Sequence, residues 1–422
     1  MIRRMATLLA GSVSGQLLTL ASSFLLTRLF SPEAFAHLEL FALVTGIGAV
    51  LGTGKFEQAM MLPRVAAEAE ALFWAGQRAI AITFVVTLLL VWPSASWVSE
   101  RMSLDSWVPI AIGLPAFVAI AAHSRLLEYW HHRVANAGRV AWANGLGPLG
   151  AEATKLAASA VLPLSGLSWG AGIGLVAKWG IMMRGLGAQC QRLSPLQTPP
   201  SASAVRAFRQ YPTWVLAGSV MNRLAQWLHV LLLGAALGPV MLGMLGLARR
   251  LLLQPLSLIA ASAAPVIFQS ATDKEDGAPL VRLFMQAALG LAGIAAVVWA
   301  AVWLAPDGTT AWLFGEPWRE VMPLLRMLAP WFVLNFIAAG LGSMFHRLNR
   351  PRSIAGLDAL HLLIVVAGWA AGTWRPDWFG AGEWQALQGI VYAKSAYYLL
   401  NIATLVQAVT SHRNAHRKRR PQ

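Results

Sequence analysis

The sequence AIAITFVVTLLLVWPSASW, residues 79–97, decides the class of this protein. It contains no charged side chain. An α-helix rises about 1.5 Å per residue, so a run of about 20 apolar residues spans the roughly 30 Å hydrocarbon core of a bilayer. A strand of a membrane β-barrel would instead alternate apolar and polar residues, a pattern that this run lacks. The stretch therefore predicts a transmembrane α-helix.

Comparable runs recur along the whole chain. Of its 422 residues, 57% are hydrophobic and 12% are charged, and a water-soluble domain could not cover that much apolar surface. The expected fold class is an all-α polytopic membrane protein with about twelve transmembrane helices. The predicted spans lie near residues 6–26, 36–54, 79–97, 107–127, 140–162, 165–183, 213–233, 240–261, 280–304, 321–345, 354–374 and 388–409.

A polar, proline-containing stretch between the sixth and seventh spans predicts two bundles of six helices. The predicted organisation is an N-terminal bundle over residues 1–183, a cytoplasmic linker over 184–210, a C-terminal bundle over 211–410 and a basic cytoplasmic tail over 411–422.

The two halves echo each other in sequence. Gly11-Ser12-Val13 recurs as Gly218-Ser219-Val220, and Ser31-Pro32 is echoed at the same interval by Gly238-Pro239. In each half the proline is expected to open the second helix. Because six helices return the chain to its starting side, this pattern predicts a parallel repeat with a pseudo-two-fold axis along the membrane normal.

Basic residues predict the orientation of the chain, because they concentrate in cytoplasmic loops. With the N-terminus inside, the predicted outside loops hold only about four of them, namely Arg28, Arg101, Arg319 and Arg375. Both termini are therefore expected in the cytoplasm. The same bias accounts for the net charge of +15, so no nucleic-acid partner is expected.

The beginning of the chain imitates a signal peptide, with Arg3 and Arg4 before an apolar run. That run is long enough to span and lacks a small-residue cleavage site after it, so a retained first helix is expected. The single cysteine, Cys190, lies in the predicted linker. Neither a disulfide framework nor a cysteine metal cluster is expected.

Enzyme motifs give no support for catalysis. The sequence contains no HExxH and no CxxC pattern, and the short predicted loops leave no room for a soluble catalytic domain. His131 and His132 are expected to be a solvated or headgroup-facing pair. We therefore expect no enzyme activity, no cofactor and no metal.

Charged residues within or at the edge of the predicted spans are the main functional signal. Each costs about 2.5 to 3.5 kcal/mol at the bilayer centre, so it should face a wet cavity or a partner. Basic residues outnumber acidic ones there, which indicates an anionic cargo. The basic residues are Lys55, Lys155, Lys178, Arg223, Arg249, Arg250, Arg326 and Lys394, and the acidic ones are chiefly Glu39, Glu57, Glu152 and Asp358.

Several of these residues have a second interpretation. Lys55, at a helix end, is equally suited to snorkel to the membrane surface. Glu152 and Lys155 are three residues apart on a helix, which favours a structural ion pair. Asp358 fits either a protonation site or a helix cap near the interface.

Short segments in both halves of the sequence resemble a known family. In the first half they are LTRLFSPEAF at residues 26–35, KFEQA at 55–59 and Leu62-Pro63. In the second half they are FRQYP at 208–212, LLLG at 231–234, Gly243, ARRL at 248–251 and Gln254-Pro255. These segments resemble Wzx-type O-antigen and polysaccharide flippases of the multidrug/oligosaccharidyl-lipid/polysaccharide exporter superfamily. One departure is Ala36, where the family usually has glycine.

The resemblance implies two six-helix bundles around a cationic lumen in the bacterial inner membrane. The expected function is alternating-access transport of undecaprenyl-pyrophosphate-linked oligosaccharide for lipopolysaccharide or other surface polysaccharide. The expected partners are that polyprenyl-linked glycan, membrane lipid, a coupling proton or sodium ion, and other polysaccharide assembly proteins. The substrate-binding candidates are Arg28, Lys55, Lys155, Arg223, Arg249, Arg250 and Lys394, and the ion-coupling candidates are Glu57 and Asp358.

Besides a non-transporting scaffold for glycan assembly, which no positive feature of the sequence supports, two alternatives remain open. A drug or metabolite antiporter of the same superfamily would usually carry cationic cargo, against which the basic residues argue. A membrane glycan polymerase or ligase would need a large outward loop, whereas the longest outward segments, at residues 306–320 and 375–383, are short.

Overall fold

The computed structural model describes residues 2–102, 104, 107–184, 186, 202–272, 278–348, 351–379 and 384–419. Cys190 and most of the predicted linker lie outside these residues. The α-helices of the described part are α1 Ile2–Leu29, α2 Pro32–Gly52, α3 Phe56–Ala59, α4 Ala66–Met102, α5 Trp107–Arg133, α6 Ala137–Ala158, α7 Gly166–Arg184, α8 Ala202–Ala207, α9 Leu216–Ala248, α10 Gln254–Thr272, α11 Ala278–Leu304, α12 Thr309–Phe314, α13 Val321–Leu341, α14 Ser343–Arg347, α15 Pro351–Trp374 and α16 Gln385–Arg419.

The predicted all-α polytopic fold is confirmed. Helix α9 is broken at Gly238, where φ is 78°, and its second arm continues through a π-helical turn, Arg249–Leu253, into α10. Counted this way, the described residues form twelve long helical segments, and each overlaps one predicted span. By length and composition alone, seven runs of the described chain are suited to cross a membrane: Pro32–Gly52, Ala66–Glu100, Trp107–Arg133, Tyr211–Thr272, Ala278–Leu304, Glu316–Phe345 and Gly356–Trp374.

The two echoed prolines begin helices, as predicted. Ser31 is extended, and Pro32 occupies the first turn of α2. Gly238 takes a left-handed conformation immediately before Pro239. A proline is tolerated in a first turn because its missing N–H has no partner there in any case, and it disfavours helix at the residue before it.

Contacts divide the chain into two compact units, Met1–Gly243 and Met244–Gln422. The first unit extends beyond the predicted linker because α9 belongs largely to it. At Gly243 the backbone comes so close to Pro32 that a Cβ atom would lie 1.7 Å from the Pro32 carbonyl oxygen. The bundle boundaries at residues 183 and 210 come from hydropathy and remain a prediction.

Glycines set the closest helix contacts within each unit. A Cβ atom on Gly174 of α7 would lie 2.5 Å from the Cβ of Ala151 in α6. In the second unit, a Cβ atom on Gly389 of α16 would lie 2.1 Å from the carbonyl oxygen of Gly368 in α15. These helices are the last two spans of each half. Both halves therefore use small residues for close backbone approach at the same place in their helix order.

Large apolar side chains are exposed along α4 and α11, among them Leu89, Leu90 and Trp92 in α4 and Leu289 and Val297 in α11. Such extended apolar faces would be a liability in water. They are the ordinary surface of a helix that contacts lipid.

Candidate functional site

A tight turn after α2 positions the first functional side chains. Gly54 and Lys55 both have positive φ, 55° and 63°, and they redirect the chain into the short helix α3. Glycine adopts this conformation freely, whereas a lysine there is uncommon and strained. The turn buries the Lys55 side chain, whose Nζ atom lies 3.9 Å from Oε1 of Glu57.

Glu57 is 0% exposed and has a second basic neighbour. Nε of Arg125, in α5, donates to its Oε1 atom at 2.9 Å. Among the described residues, neither terminal amino group of Arg125 has a hydrogen-bond partner. The guanidinium therefore neutralises Glu57 while keeping two donor groups for a ligand.

Arg223, in α9, completes this group. The pKa of Lys55 is lowered by burial, raised by Glu57, and lowered further by Arg125 and Arg223, so both arginines lie within electrostatic reach of the ammonium. Arg223 is half-buried and has no hydrogen-bond or ion-pair partner among the described residues. We call Lys55, Glu57, Arg125 and Arg223 the N-terminal cationic cluster. It holds three basic groups and one acid.

The segment after the cluster is fixed by α5. The two terminal amino groups of Arg133 donate to the carbonyl oxygens of Met60, at 2.8 Å, and Pro63, at 2.7 Å. His131 is fully buried, and its Nε2 atom bonds the Met182 carbonyl at 2.9 Å. The expectation that His131 would be solvated or headgroup-facing is wrong, because α7 covers this end of α5.

The acid–base pair predicted in α6 forms. Nζ of Lys155 donates to Oε1 of Glu152 at 2.6 Å, and Oγ of Ser22 in α1 donates to the other carboxylate oxygen at 2.6 Å. All three side chains are buried. This arrangement joins α1 to α6 and favours the structural interpretation of Lys155.

Two other basic residues predicted in the spans, Lys178 and Arg326, also pair with acidic side chains or donate to carbonyl oxygens. Nζ of Lys178 lies 3.3 Å from Oε2 of Glu128. Arg326 pairs with Asp307 and donates to the Ala305 carbonyl at 2.6 Å. The Arg326 contacts secure the turn after α11.

The second unit contains a buried lysine among aromatic rings. Lys394 is 1% exposed, and its Nζ atom lies 4.1 Å from the centre of the Trp331 ring. His361 stacks on Tyr397 with ring centres 4.1 Å apart and an interplanar angle of 4°, and Tyr398 packs against both. We call Trp331, His361, Lys394, Tyr397 and Tyr398 the C-terminal aromatic cluster.

Two predicted site residues lie near this cluster. Arg249 is within electrostatic reach of Lys394, and Asp358 is within reach of Tyr397 and Tyr398. Arg249 begins the π-helical turn, and Arg250 beside it is buried. Single π turns inside α-helices are frequent at functional sites.

Arg28 lies apart from Lys55. It is exposed in the last turn of α1, before α2 begins, whereas Lys55 follows the other end of α2. Since α2 has 21 residues, it separates them by about 30 Å. The structure brings Lys55, Glu57 and Arg223 together and leaves Arg28 and Lys155 elsewhere.

Some residues of the two clusters were not predicted from the sequence. Arg125 is absent from the charged residues assigned to the predicted spans, although it lies near the end of the predicted span at residues 107–127. Lys394, Tyr397, Tyr398 and Asn401 recur at the spacing of one helix face. That spacing is typical of side chains on one helix face, but it does not reveal the partner rings on α13 and α15.

One segment at the start of α7 matches a hydrolase motif. The segment GLSWG, residues 166–170, matches GxSxG, but a nucleophile elbow requires a strand-to-helix turn. Here a turn leads directly into α7, and the described residues around it contain no strand. Ser168 is fully buried, and its hydroxyl has no hydrogen-bond partner among the described residues, so none of them is placed to activate it as a base. The described residues also contain no group of three or more His, Cys, Asp or Glu side chains that could hold a metal ion.

Comparison with known proteins identifies the fold. No protein-family model and no curated protein matches the sequence. Solved structures do match. An inward-facing multidrug resistance MATE family transporter of the MOP superfamily has a TM-score of 0.75 at 16% identity, over 95% of this chain and 96% of that chain.

Two further solved structures match the fold of this chain. A MOP superfamily transporter from Pyrococcus furiosus, described with a reversed polarity of its binding pocket, has a TM-score of 0.67 at 14% identity, over 97% of this chain and 95% of that chain. An outward-facing MATE family transporter has a TM-score of 0.61 at 15% identity, over 97% and 95%. The chain therefore has the fold of MATE transporters of the MOP superfamily. Those structures belong to the superfamily that the sequence resemblance named, and for this chain both that superfamily and the Wzx family remain predictions.

Proposed function

We propose that this chain is an alternating-access transporter that moves undecaprenyl-pyrophosphate-linked oligosaccharide outward across the bacterial inner membrane, with both of its termini in the cytoplasm. The observation that supports this proposal is the N-terminal cationic cluster. Lys55 and Arg125 both pair with the Glu57 carboxylate, and Arg223 lies within electrostatic reach of both and has no hydrogen-bond or ion-pair partner among the described residues.

A diphosphate fits the charge of this cluster. Guanidinium groups bind phosphate oxygens through paired, charge-assisted hydrogen bonds, and the ammonium of a lysine adds a compact positive charge. A bound diphosphate would give Arg223 a partner and would use the terminal amino groups of Arg125 that Glu57 leaves available. Transport requires no bond to form or break, so the cluster needs only to bind and release its ligand.

The membrane potential favours this direction of transport. An anion that leaves an inside-negative compartment gains about 2.3 kcal/mol per charge per 100 mV. Inward flow of a proton or sodium ion would add to this, and Glu57 and Asp358 are the proposed coupling residues. Because Glu57 is paired with Arg125, protonation of Glu57 would release the guanidinium and so link coupling to ligand binding.

A strain that lacks the chain tests the proposal. Lipid-linked glycan should accumulate on the cytoplasmic leaflet and surface glycan should fall, as measured by lectin access in oriented membrane vesicles. Wild-type protein should restore export and Arg223→Ala should not. Arg319→Ala is the matched control, since that arginine is exposed and its one ion-pair partner among the described residues is the nearby Glu316. Normal outer-leaflet glycan in the deletion strain would overturn the proposal.

A multidrug antiporter is the second candidate, because two of the matched structures are described as multidrug resistance transporters. The C-terminal aromatic cluster supplies the kind of rings that pack against flat organic molecules. Drug efflux from loaded cells distinguishes the two functions. An antiporter would lower drug accumulation and leave lipid-linked glycan unchanged in the deletion strain.

A further inference from the structure

An apolar cleft of about 280 Å³ lies between α2, α5 and α7 of the first unit. Its walls include Leu38, Phe41, Thr45, Ala121 and Leu175. The hydroxyl of Thr45 donates to the carbonyl oxygen of Phe41 at 2.7 Å in its own helix. Because this hydroxyl is already satisfied, the cleft offers a ligand an almost purely apolar surface.

The cleft leads toward basic side chains on two of its three helices. In α5, Arg125 lies one turn beyond Ala121 on the same face, about 6 Å along the axis. In α7, Lys178 lies three residues beyond Leu175, again on the same face. Arg125 belongs to the N-terminal cationic cluster, and Lys178 pairs with Glu128 at 3.3 Å.

The third helix leads to the same cluster. Ala49 lines the cleft in the last turn of α2, and the turn that carries Lys55 follows directly after the end of that helix. An apolar cleft that ends at a group of basic residues is complementary to an amphiphile with an anionic head group. A free phosphate would leave the cleft empty, and an uncharged hydrocarbon would leave the basic groups without a ligand.

We propose that this cleft holds the first isoprenyl units of a polyprenyl diphosphate, next to the diphosphate in the N-terminal cationic cluster. This inference rests on the proposed function and extends it, because the carrier lipid is then recognised by its chain as well as by its charge. The cleft distinguishes the lipid-linked substrate from soluble diphosphates, which offer the same head without the chain.

Gly46 provides a direct test, because it lines the cleft and a Cβ atom there would meet nothing within 4 Å. Gly46→Leu therefore fills the cleft without forcing the helices apart. Gly180→Leu is the matched control. Gly180 lies in α7 outside the cleft and is equally open. Ala171→Leu, which fills the cleft from α7, is the second variant in case Gly46→Leu does not fold.

The measurement is the affinity of the full chain, in nanodiscs of neutral lipid, for farnesyl diphosphate, inorganic pyrophosphate and farnesol. Wild-type protein should bind farnesyl diphosphate most tightly. Gly46→Leu should weaken farnesyl diphosphate binding about tenfold or more, as expected for a blocked apolar pocket, and leave pyrophosphate binding unchanged. Gly180→Leu should change neither, and Arg223→Ala should weaken both diphosphates.

The outcomes separate the two proposals. Equal binding of farnesyl diphosphate by wild type and Gly46→Leu, with Arg223→Ala still impaired, would overturn the cleft and leave the proposed function standing. Failure of wild-type protein to bind either diphosphate would overturn the proposed function. Binding of farnesol as tight as that of farnesyl diphosphate, or displacement of farnesyl diphosphate by phosphatidic acid at equal concentration, would show a general lipid site and overturn the cleft proposal.

Discussion

Arg125 donates a 2.9 Å hydrogen bond through Nε to Oε1 of Glu57, a carboxylate that is completely buried. The two residues come from different helical elements, so the pair fixes the turn after α2 against α5. Lys55 lies farther from the same oxygen, at 3.9 Å. Arg125 is therefore the main counter-charge of Glu57.

Arg125→Ala should lower stability by about 3 kcal/mol, because removing one partner leaves a buried charge without full compensation. Thermal unfolding of the purified protein measures this effect. Arg125→Ala combined with Glu57→Gln should recover part of the loss. If the single variant is as stable as Arg319→Ala, whose exposed pair contributes about 0–1 kcal/mol, the ion pair has no structural role.

Lys155→Met should destabilise the protein by about 3–5 kcal/mol, because Glu152 would remain buried beside Ser22 alone. Glu152→Gln with Lys155→Met should restore most of that stability and keep transport near the wild-type level. The double-variant cycle uses thermal unfolding together with the glycan export assay. Poor export by a stable double variant would instead assign Lys155 to the transport path.

Gly389→Ala should destabilise the second unit by about 1–3 kcal/mol, since the new methyl group would meet the Gly368 carbonyl and force two packed helices apart. Gly293→Ala, in α11, is the control. A Cβ atom there meets nothing within 4 Å, so alanine should be neutral or stabilise the helix by up to about 1 kcal/mol. Equal unfolding temperatures for the two variants would contradict close packing at Gly389.

Pyrophosphate binding should weaken as pH rises toward about 10.4, the pKa of an exposed lysine. Burial lowers the pKa of Lys55, so Lys55 loses its charge earlier than surface lysines do. Lys55→Arg should flatten this profile, because arginine keeps its charge throughout the range. Titration of pyrophosphate affinity against pH measures both, and identical profiles would exclude Lys55 from the site.

The lowered pKa of Lys55 also affects stability. In the window between the folded pKa and the unfolded one, the unfolded chain binds more protons, so the contribution of this lysine to stability becomes more favourable as pH rises. Unfolding measured across the same alkaline range should show this trend in wild type and lose it in Lys55→Arg.

Lys394→Met should raise the unfolding temperature while it lowers transport. Burying an ammonium costs several kcal/mol, and a desolvated contact with a ring such as Trp331 offsets about 2 kcal/mol of that cost. A buried charge that lowers the stability of the protein is expected to have a role in transport. Lys178→Met, at a partly exposed ion pair, should change both quantities little. Loss of stability together with unchanged transport in Lys394→Met would contradict this role.

The sequence by itself determined the helices. Runs such as residues 79–97 are apolar enough to span, Pro32 and Pro239 mark helix starts, and the spacing of Glu152 and Lys155 predicted their ion pair. These features are local. Hydropathy, proline geometry and neighbours on one helix turn depend only on residues a few positions apart.

Only the tertiary structure decided which charges meet. Lys55 and Glu57 are close in sequence, but Arg125 and Arg223 reach them from other helices, as Trp331 reaches Lys394. In a soluble helix the apolar stripe reveals which face is buried. In a membrane the lipid-facing and protein-facing surfaces are both apolar, so hydropathy leaves the rotation of each helix undefined, and packing alone sets which side chains converge.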